Sequence, residues 1–459
     1  MADTTIFKRL HLIAIGGSIM HNLALALQQK GISVSGSDDE IYEPARTRLQ
    51  NGGILPETEG WHPEKITKDL DAVIVGMHAR PDNRELLKAQ ELGLRVFSFP
   101  EFIFEQAKNK QRIVIAGSHG KTTITSMILH VLRHHNRKFD YAVGAQIQDF
   151  DLMVKLTDDA PIIIIEGDEY LSSPIDRRPK FFHYHHHIGV ISGIAWDHIN
   201  VFPEYEGYKA QFEGFAKLTP KAGALIYCEE DPEVAKIGAM PLEDVRQIPY
   251  GTHPHEISDG KTVLVSKDGS EIPVEIFGAH NLQNLNAARH VCLKIGISNE
   301  QFYEAIRNFK GAAKRLELLS STEQTTVFRD FAHAPSKVKA TTQAVKAQFP
   351  DRKLVACLEL HTFSSLNKNF LPHYKGALAA AHEAIVYYSP KTIAHKKLEA
   401  ISEEEVKEAF GSGNLLIFTD SQKMASYLQQ QNWKNTNLLL MSSGNFDNFD
   451  VNQLVQSIG

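Results

Sequence analysis

Cysteine is scarce: Cys228, Cys292 and Cys357 are the only three in 459 residues. They lie far apart with no C-x-x-C pair, which excludes a disulfide scaffold and offers no zinc pattern. Such usage fits a reducing cytoplasm, where the chain is expected to work. No apolar run approaches the length of a membrane span and no secretory leader is recognisable, so no membrane partner is expected. A basic excess is missing too. The formal net charge of −6 and a pI near 6.4 argue against a nucleic-acid surface, though not against a local basic pocket for an anion. Repeats and low-complexity stretches are absent. What remains is a globular composition, long enough for about three domains with their own cores.

The most informative stretch is Ile113 to Thr123, IVIAGSHGKTT. Ile113, Val114 and Ile115 form an apolar β-branched run that predicts a buried strand. Gly117-Ser118-His119-Gly120 turns the backbone, and Lys121-Thr122-Thr123 opens a helix with Met127, Ile128, Val131 and Leu132 on one face. Strand, glycine turn and helix form the setting of a phosphate loop. Small residues let backbone N–H groups converge on phosphate oxygens where the helix dipole favours negative charge. Lys121 would reach the outer phosphates and the Thr122 hydroxyl would sit on Mg²⁺. Ile115 stands where the usual first glycine belongs.

Upstream, the strand Leu10 to Ile15 leads into Gly16-Gly17-Ser18 and a helix, and a second strand ends in Gly36-Ser37-Asp38. This is a Rossmann-like opening in which Ala14 occupies the first glycine position. A nucleotide diphosphate could use the same turn. Strands over Ala72 to Gly76 and Arg95 to Ser98 follow, and a charged helix and linker close the first domain at residue 108.

In the second domain, 109–311, four isoleucines precede Glu166, Asp168 and Glu169 in PIIIIEGDEY. Such a run suits a strand buried on both faces of a parallel sheet. Its carboxylates would stand at the sheet edge where ligands bind, placed to hold Mg²⁺. Arg177, Arg178 and Lys180 follow, then His183 to His187, whose alternation predicts a polar strand edge or substrate contacts. A strand from Ile188 to Ile194 delivers Asp197-His198. Further on, FGAHNLQNLNAA predicts a polar loop entering a helix, with His280, Asn281 and Asn284 near a base edge. The third domain, 312–459, alternates strands and helices, which implies a second parallel sheet. Its polar tips include Asp330 to Pro335, Glu359 to Ser365 and Ser442 to Asn445.

In this order, GSHGKTT, EGDEY, DH at Asp197-His198, GAHNLQN, KRLEL at Lys314 to Leu318 and DFAHAP resemble the Mur ligases, the ATP-dependent amide ligases of bacterial cell-wall synthesis. The likeness covers essentially the whole chain. It implies an α/β protein of three domains: a Rossmann-like N-terminal domain, a central P-loop ATPase-type parallel sheet, and a Rossmann-like C-terminal domain. By the resemblance, Gly16, Gly17, Ser18 and Asp38 bind the UDP-sugar. Gly117 to Thr123, His280, Asn281, Asn284, Arg315 and Asp330 bind ATP, and Thr122, Glu166 and His198 hold metal. Lys121 and His198 are the expected catalytic residues. Arg177, Arg178, Lys180, His333 and His361 are expected at the amine substrate.

The expected partners are UDP-N-acetylmuramate and a peptide, handled by a monomer or weak homodimer. Tyr170 and the basic segment Asp176 to Phe181 resemble family members that recover the tripeptide L-alanyl-γ-D-glutamyl-meso-diaminopimelate. The alternative is free L-alanine in new synthesis. Departures from the family pattern are Ser192-Gly193, Arg329 and Glu359-Leu360-His361, and no lysine aligns with the carbamoylated one of several relatives. From the residues alone, a nicotinamide-dependent oxidoreductase or a nucleotide-gated binding protein stays open.

Overall fold

A computed structural model describes residues 7–197, 199, 201–258, 260–311, 315–411 and 415–458. The chain divides into two compact units. The first comprises residues 1–194, 206–250 and 290–296; the second comprises 195–205, 251–289 and 297–459.

The first unit carries two sheets. Strands β1 (Arg9–Ile13), β2 (Ser33–Ser37), β3 (Ala72–Val75) and β4 (Val96–Ser98) pair in parallel in the order β2-β1-β3-β4. Helix α1 (Ser18–Gln29) follows β1, and α2 (Phe99–Ala107) follows β4 with a Ser98/Glu101 capping box at its start. The second sheet has seven strands: β5 (Gln111–Ala116), β6 (Asp140–Ala142), β7 (Val154–Lys155), β8 (Ile162–Gly167), β9 (Ile188–Ile191), β10 (Ala224–Cys228) and β11 (Arg246–Tyr250). They run β11-β10-β9-β5-β8-β6-β7, all parallel except β7. β5 and β8 are central and buried on both faces, which is why Ile113–Ile115 and Ile163–Ile165 read as uninterrupted apolar runs. Helix α3 (Lys121–His134) leaves the C-terminal end of β5, and α4 (Tyr205–Lys217) precedes β10.

The second unit holds the antiparallel strands β12 (His255–Ser258), β13 (Lys261–Val265) and β14 (Glu271–Val274), followed by helix α5 (Ala279–Lys294). Beyond these come β15 (Glu317–Ser321), β16 (Thr326–Asp330), helix α6 (Pro335–Gln348), β17 (Lys353–Leu360), β18 (Glu383–Tyr388), β19 (Leu415–Phe418) and β20 (Thr436–Met441). These six strands are ordered β15-β16-β20-β17-β18-β19, parallel apart from β15. The expected second parallel sheet is therefore present, with an antiparallel edge strand the sequence pattern does not announce. Arg329 faces Glu317 across that edge pair, and its guanidinium donates to the Glu317 carboxylate at 2.8 Å. Among the described residues, no helix is long and apolar enough to cross a membrane.

One local expectation fails. His183 to His187 do not form a strand: Lys180–Tyr184 is a 3-10 helix, and His185 closes it in the left-handed region at φ 45°. Pro179 sets its start, and burial of Tyr184 and of Phe181, whose ring packs on Phe212 and Phe215, outweighs the alternating pattern.

Candidate active site

Between β5 and α3, Gly117 has φ 133° and Gly120 φ 79°, conformations that side chains disfavour. A Cβ on Gly117 would also fall 2.1 Å from Ser192 Oγ. The Ser118 N–H and hydroxyl both donate to the Gly193 carbonyl, at 2.9 and 3.1 Å. The His119 ring packs so closely on Gly193 that a Cβ there would come within 2.2 Å of it. Ser192-Gly193, which departs from the family pattern, thus forms the floor of the phosphate loop. The first-turn amides of α3 have no intrahelical acceptor, and the positive end of the helix dipole favours an anion beside them.

The three carboxylates at the C-terminal end of β8 are held by different partners. Glu166 accepts the Thr122 hydroxyl at 3.1 Å and the Gly144 N–H at 3.1 Å. Asp168 accepts Lys180 Nζ at 2.7 Å, and Glu169 accepts Lys121 Nζ at 2.7 Å. Burial alone would push the Lys121 ammonium down, but the charges of Glu169, Asp168 and Glu166 hold it above its ordinary value. Thr122 and Glu166 converge as hard oxygen donors at the mouth of the loop, a donor set that fits Mg²⁺. His198, the third expected metal ligand, lies outside the described residues, as does Lys314.

At the N-terminal turn, Ala14 takes the left-handed conformation its missing glycine would have supplied, with φ 65°. The Gly16 N–H donates to Asp38 at 2.8 Å, and a Cβ on Gly16 would meet the same carboxylate oxygen at 2.9 Å. Burial, reinforced by Asp39, raises the Asp38 carboxyl to about 7. Ser18 and Asn22 of α1 reach Met153, and the Met153 N–H donates to Asn22 at 3.0 Å. The loop after β6 therefore touches both the glycine turn, through Met153, and Glu166, through Gly144.

The basic segment after β8 is tied down. Arg178 clasps Asp176, with its shortest contact at 2.6 Å, Lys180 is held by Asp168, and Arg177 is exposed. Glu101, Asp176 and His183 come within reach of one another, but the positive charge among them is the Arg178 guanidinium. Burial pushes His183 below its ordinary value against the pull of both carboxylates, and buried His186, stacked on Phe215, down to about 3.

In the second unit, the expected nucleotide residues stand at two places. His280, Asn281 and Asn284 occupy the first turns of α5. The Asn281 amide donates back to the Phe277 carbonyl at 3.0 Å, and burial lowers His280 to about 4. At the end of β16, buried Asp330 accepts the Leu316 and Ala332 N–H groups at 2.5 and 2.6 Å. Beside it, the Arg315 guanidinium lies 4.8 Å from the Phe331 ring centroid. His333 donates from Nδ1 to the Phe331 carbonyl, and burial pushes it down to about 4. Lys337 approaches Asp197 at 3.7 Å. His361 stands 3.5 Å from buried Glu359, whose carboxylate also takes the Ser442 hydroxyl and the Phe446 N–H.

Gly144 and Ser192-Gly193 belong to this geometry without having been assigned from sequence, and of these only the Ser192-Gly193 departure carried a signal. Glu169, expected as one of the carboxylates beside Mg²⁺, is instead bonded to Lys121.

Comparison with known proteins agrees. Residues 115–292 match the Mur ligase middle domain, and residues 9–111 match the Mur ligase family catalytic domain. The chain is 32% identical to a UDP-N-acetylmuramate–L-alanine ligase of Clostridium kluyveri, over 79% of this chain and 80% of that one. Among solved structures, it is similar to a UDP-N-acetylmuramate–alanine ligase of Thermotoga maritima, with a TM-score of 0.69 and 20% identity, over 99% and 98% of the two chains. A murein peptide ligase of Psychrobacter arcticus gives a TM-score of 0.64 at 23% identity, over 98% and 99%. The chain belongs to the Mur ligase family, the ATP-dependent, ADP-forming amide ligases of peptidoglycan synthesis.

Proposed function

We propose that this enzyme joins the lactyl carboxylate of UDP-N-acetylmuramate to the amine of an L-alanyl group. The observation that carries the reading is the preformed phosphate loop with Lys121 at its helix N-terminus and the Thr122–Glu166 pair beside it. The carboxylate attacks the γ-phosphate of ATP, giving an acyl phosphate and ADP. The amine then attacks the acyl carbon and expels inorganic phosphate. Lys121 offsets the charge that develops on the transferred phosphoryl group. Mg²⁺, held by Thr122 and Glu166, would neutralise phosphate charge; His198 is the residue we assign to a further metal contact. Gly16, Gly17, Ser18 and Asp38 hold the UDP moiety. His280, Asn281 and Asn284 hold adenine, and Arg315 and Asp330 meet the nucleotide. His333 and His361 face the amine substrate. The domains we assign are 1–108, 109–311 and 312–459.

Free L-alanine is the amine that the curated relatives favour. The tripeptide rested on Arg177, Arg178 and Lys180 serving several substrate carboxylates, but Arg178 and Lys180 already have carboxylate partners. A second reading, the tripeptide, is supported by the end-to-end similarity to the Psychrobacter arcticus enzyme. Supplying L-alanine and the tripeptide separately with UDP-N-acetylmuramate and ATP decides between them. Phosphate release with alanine alone is the expected result; release with the tripeptide alone would reverse the assignment. Release with neither would overturn the L-alanyl reading itself.

Glu166→Gln should raise the Mg²⁺ concentration for half-maximal rate by roughly tenfold or more, since a neutral amide is a poor ligand for a hard cation. The KM for UDP-N-acetylmuramate should hold. A magnesium titration of the variant checks this, and an unchanged profile would move the metal elsewhere.

A further inference from the structure

Glu169 is fully buried, and each of its two oxygens accepts a hydrogen bond. One accepts Lys121 Nζ at 2.7 Å; the other accepts the Tyr208 hydroxyl at 2.8 Å. Lys121 also donates to the Gly117 carbonyl at 2.5 Å. An ammonium group has three N–H donors, so two fixed contacts define where the third points. Tyr208 comes from α4, and its ring is itself fully buried, packed edge-on to Phe212 at 5.3 Å. Packing on a rigid helix therefore sets the hydroxyl, independently of the glycine turn. A carboxylate held at one oxygen can rotate; held at both, its plane is fixed, and the ammonium with it.

We propose that Tyr208 is a positioning residue for phosphoryl transfer, holding Lys121 through Glu169 so that the remaining N–H faces the phosphates of ATP. This rests on the phosphate-loop role of Lys121 given above. Neither Glu169 nor Tyr208 needs to touch substrate. Their part is to keep the cation from following the phosphate as charge moves, a displacement to which transfer reactions are sensitive.

Tyr208→Phe removes one oxygen and keeps the ring. The test measures steady-state kcat and KM for ligation, with whichever amine the wild type accepts, alongside thermal melting. The kcat should fall about tenfold, the scale of one lost hydrogen bond in a preorganised site. The KM for UDP-N-acetylmuramate should be unchanged. In a Glu169→Gln background, Tyr208→Phe should cost little more. A wild-type kcat in Tyr208→Phe would overturn the proposal, as would a loss of kcat that merely tracks a lowered melting temperature. Lys121→Ala in the same assay separates the two readings. If it stays active, the phosphate-loop role fails; if it is dead while Tyr208→Phe behaves as wild type, only the positioning role fails.

Discussion

Lys121→Ala should abolish ligation, lowering the rate by roughly a hundredfold to a thousandfold, the range found when one preorganised charge-stabilising donor is removed. The same change should also weaken the fold. Lys121 is not a solvent-side cation: its side chain is 13% exposed, and its partner Glu169 is fully buried. Removing the ammonium leaves a buried carboxylate with the Tyr208 hydroxyl in place of a countercharge. Breaking a buried pair by removing one partner costs about 3–5 kcal/mol. Lys121→Ala/Glu169→Gln removes the uncompensated charge, so it should recover most of the stability and none of the activity. Melting temperature and turnover, measured on both variants, separate the effects. A folded Lys121→Ala enzyme keeping more than roughly a tenth of the wild-type rate would sink the phosphate-loop role. A double variant no more stable than the single one would show that the pair carries no structural weight.

The phosphate loop was legible in the sequence because all its parts are local. β5, the two glycines and the start of α3 follow one another without interruption, and the apolar runs of β5 and β8 report double burial directly. The Rossmann-like turn was legible for the same reason, even though Ala14 replaces a glycine: the chain holds Ala14 at positive φ where glycine would sit without strain. What escaped the sequence is what tertiary contact decides. Glu169 and Tyr208 meet across 39 positions, and no spacing rule joins them. His183 to His187 alternate like a strand, yet aromatic packing beneath them winds the backbone into a 3-10 turn. Arg178 and Lys180 looked like free cations because the carboxylates that hold them, Asp176 and Asp168, read as site residues or solvated loop. Charge counts along a chain do not tell which charges are already spent.

Another nonlocal pair makes a large and separable stability prediction. Asp140 opens β6 and is fully buried; Lys110, just before β5, is nearly so. The ammonium bonds to Asp140 and to the Thr157 carbonyl. The carboxylate also accepts the Thr157 N–H at 2.9 Å and its hydroxyl at 2.8 Å. One ion pair thus ties the approach to β5, the start of β6 and the segment before β8, all in the sheet that carries the phosphate loop. Asp140→Asn keeps the shape but strands the Lys110 charge, and should destabilise by about 3–5 kcal/mol. Lys110→Met/Asp140→Leu removes both charges and replaces them with apolar volume. It should recover most of that loss, less about 1–3 kcal/mol for the Thr157 N–H and hydroxyl left without an acceptor. Urea unfolding of the wild type, Lys110→Met, Asp140→Leu and the double variant closes the cycle. A coupling near zero would mean that solvent already screens the pair, and that the strands it joins are held by their apolar faces alone.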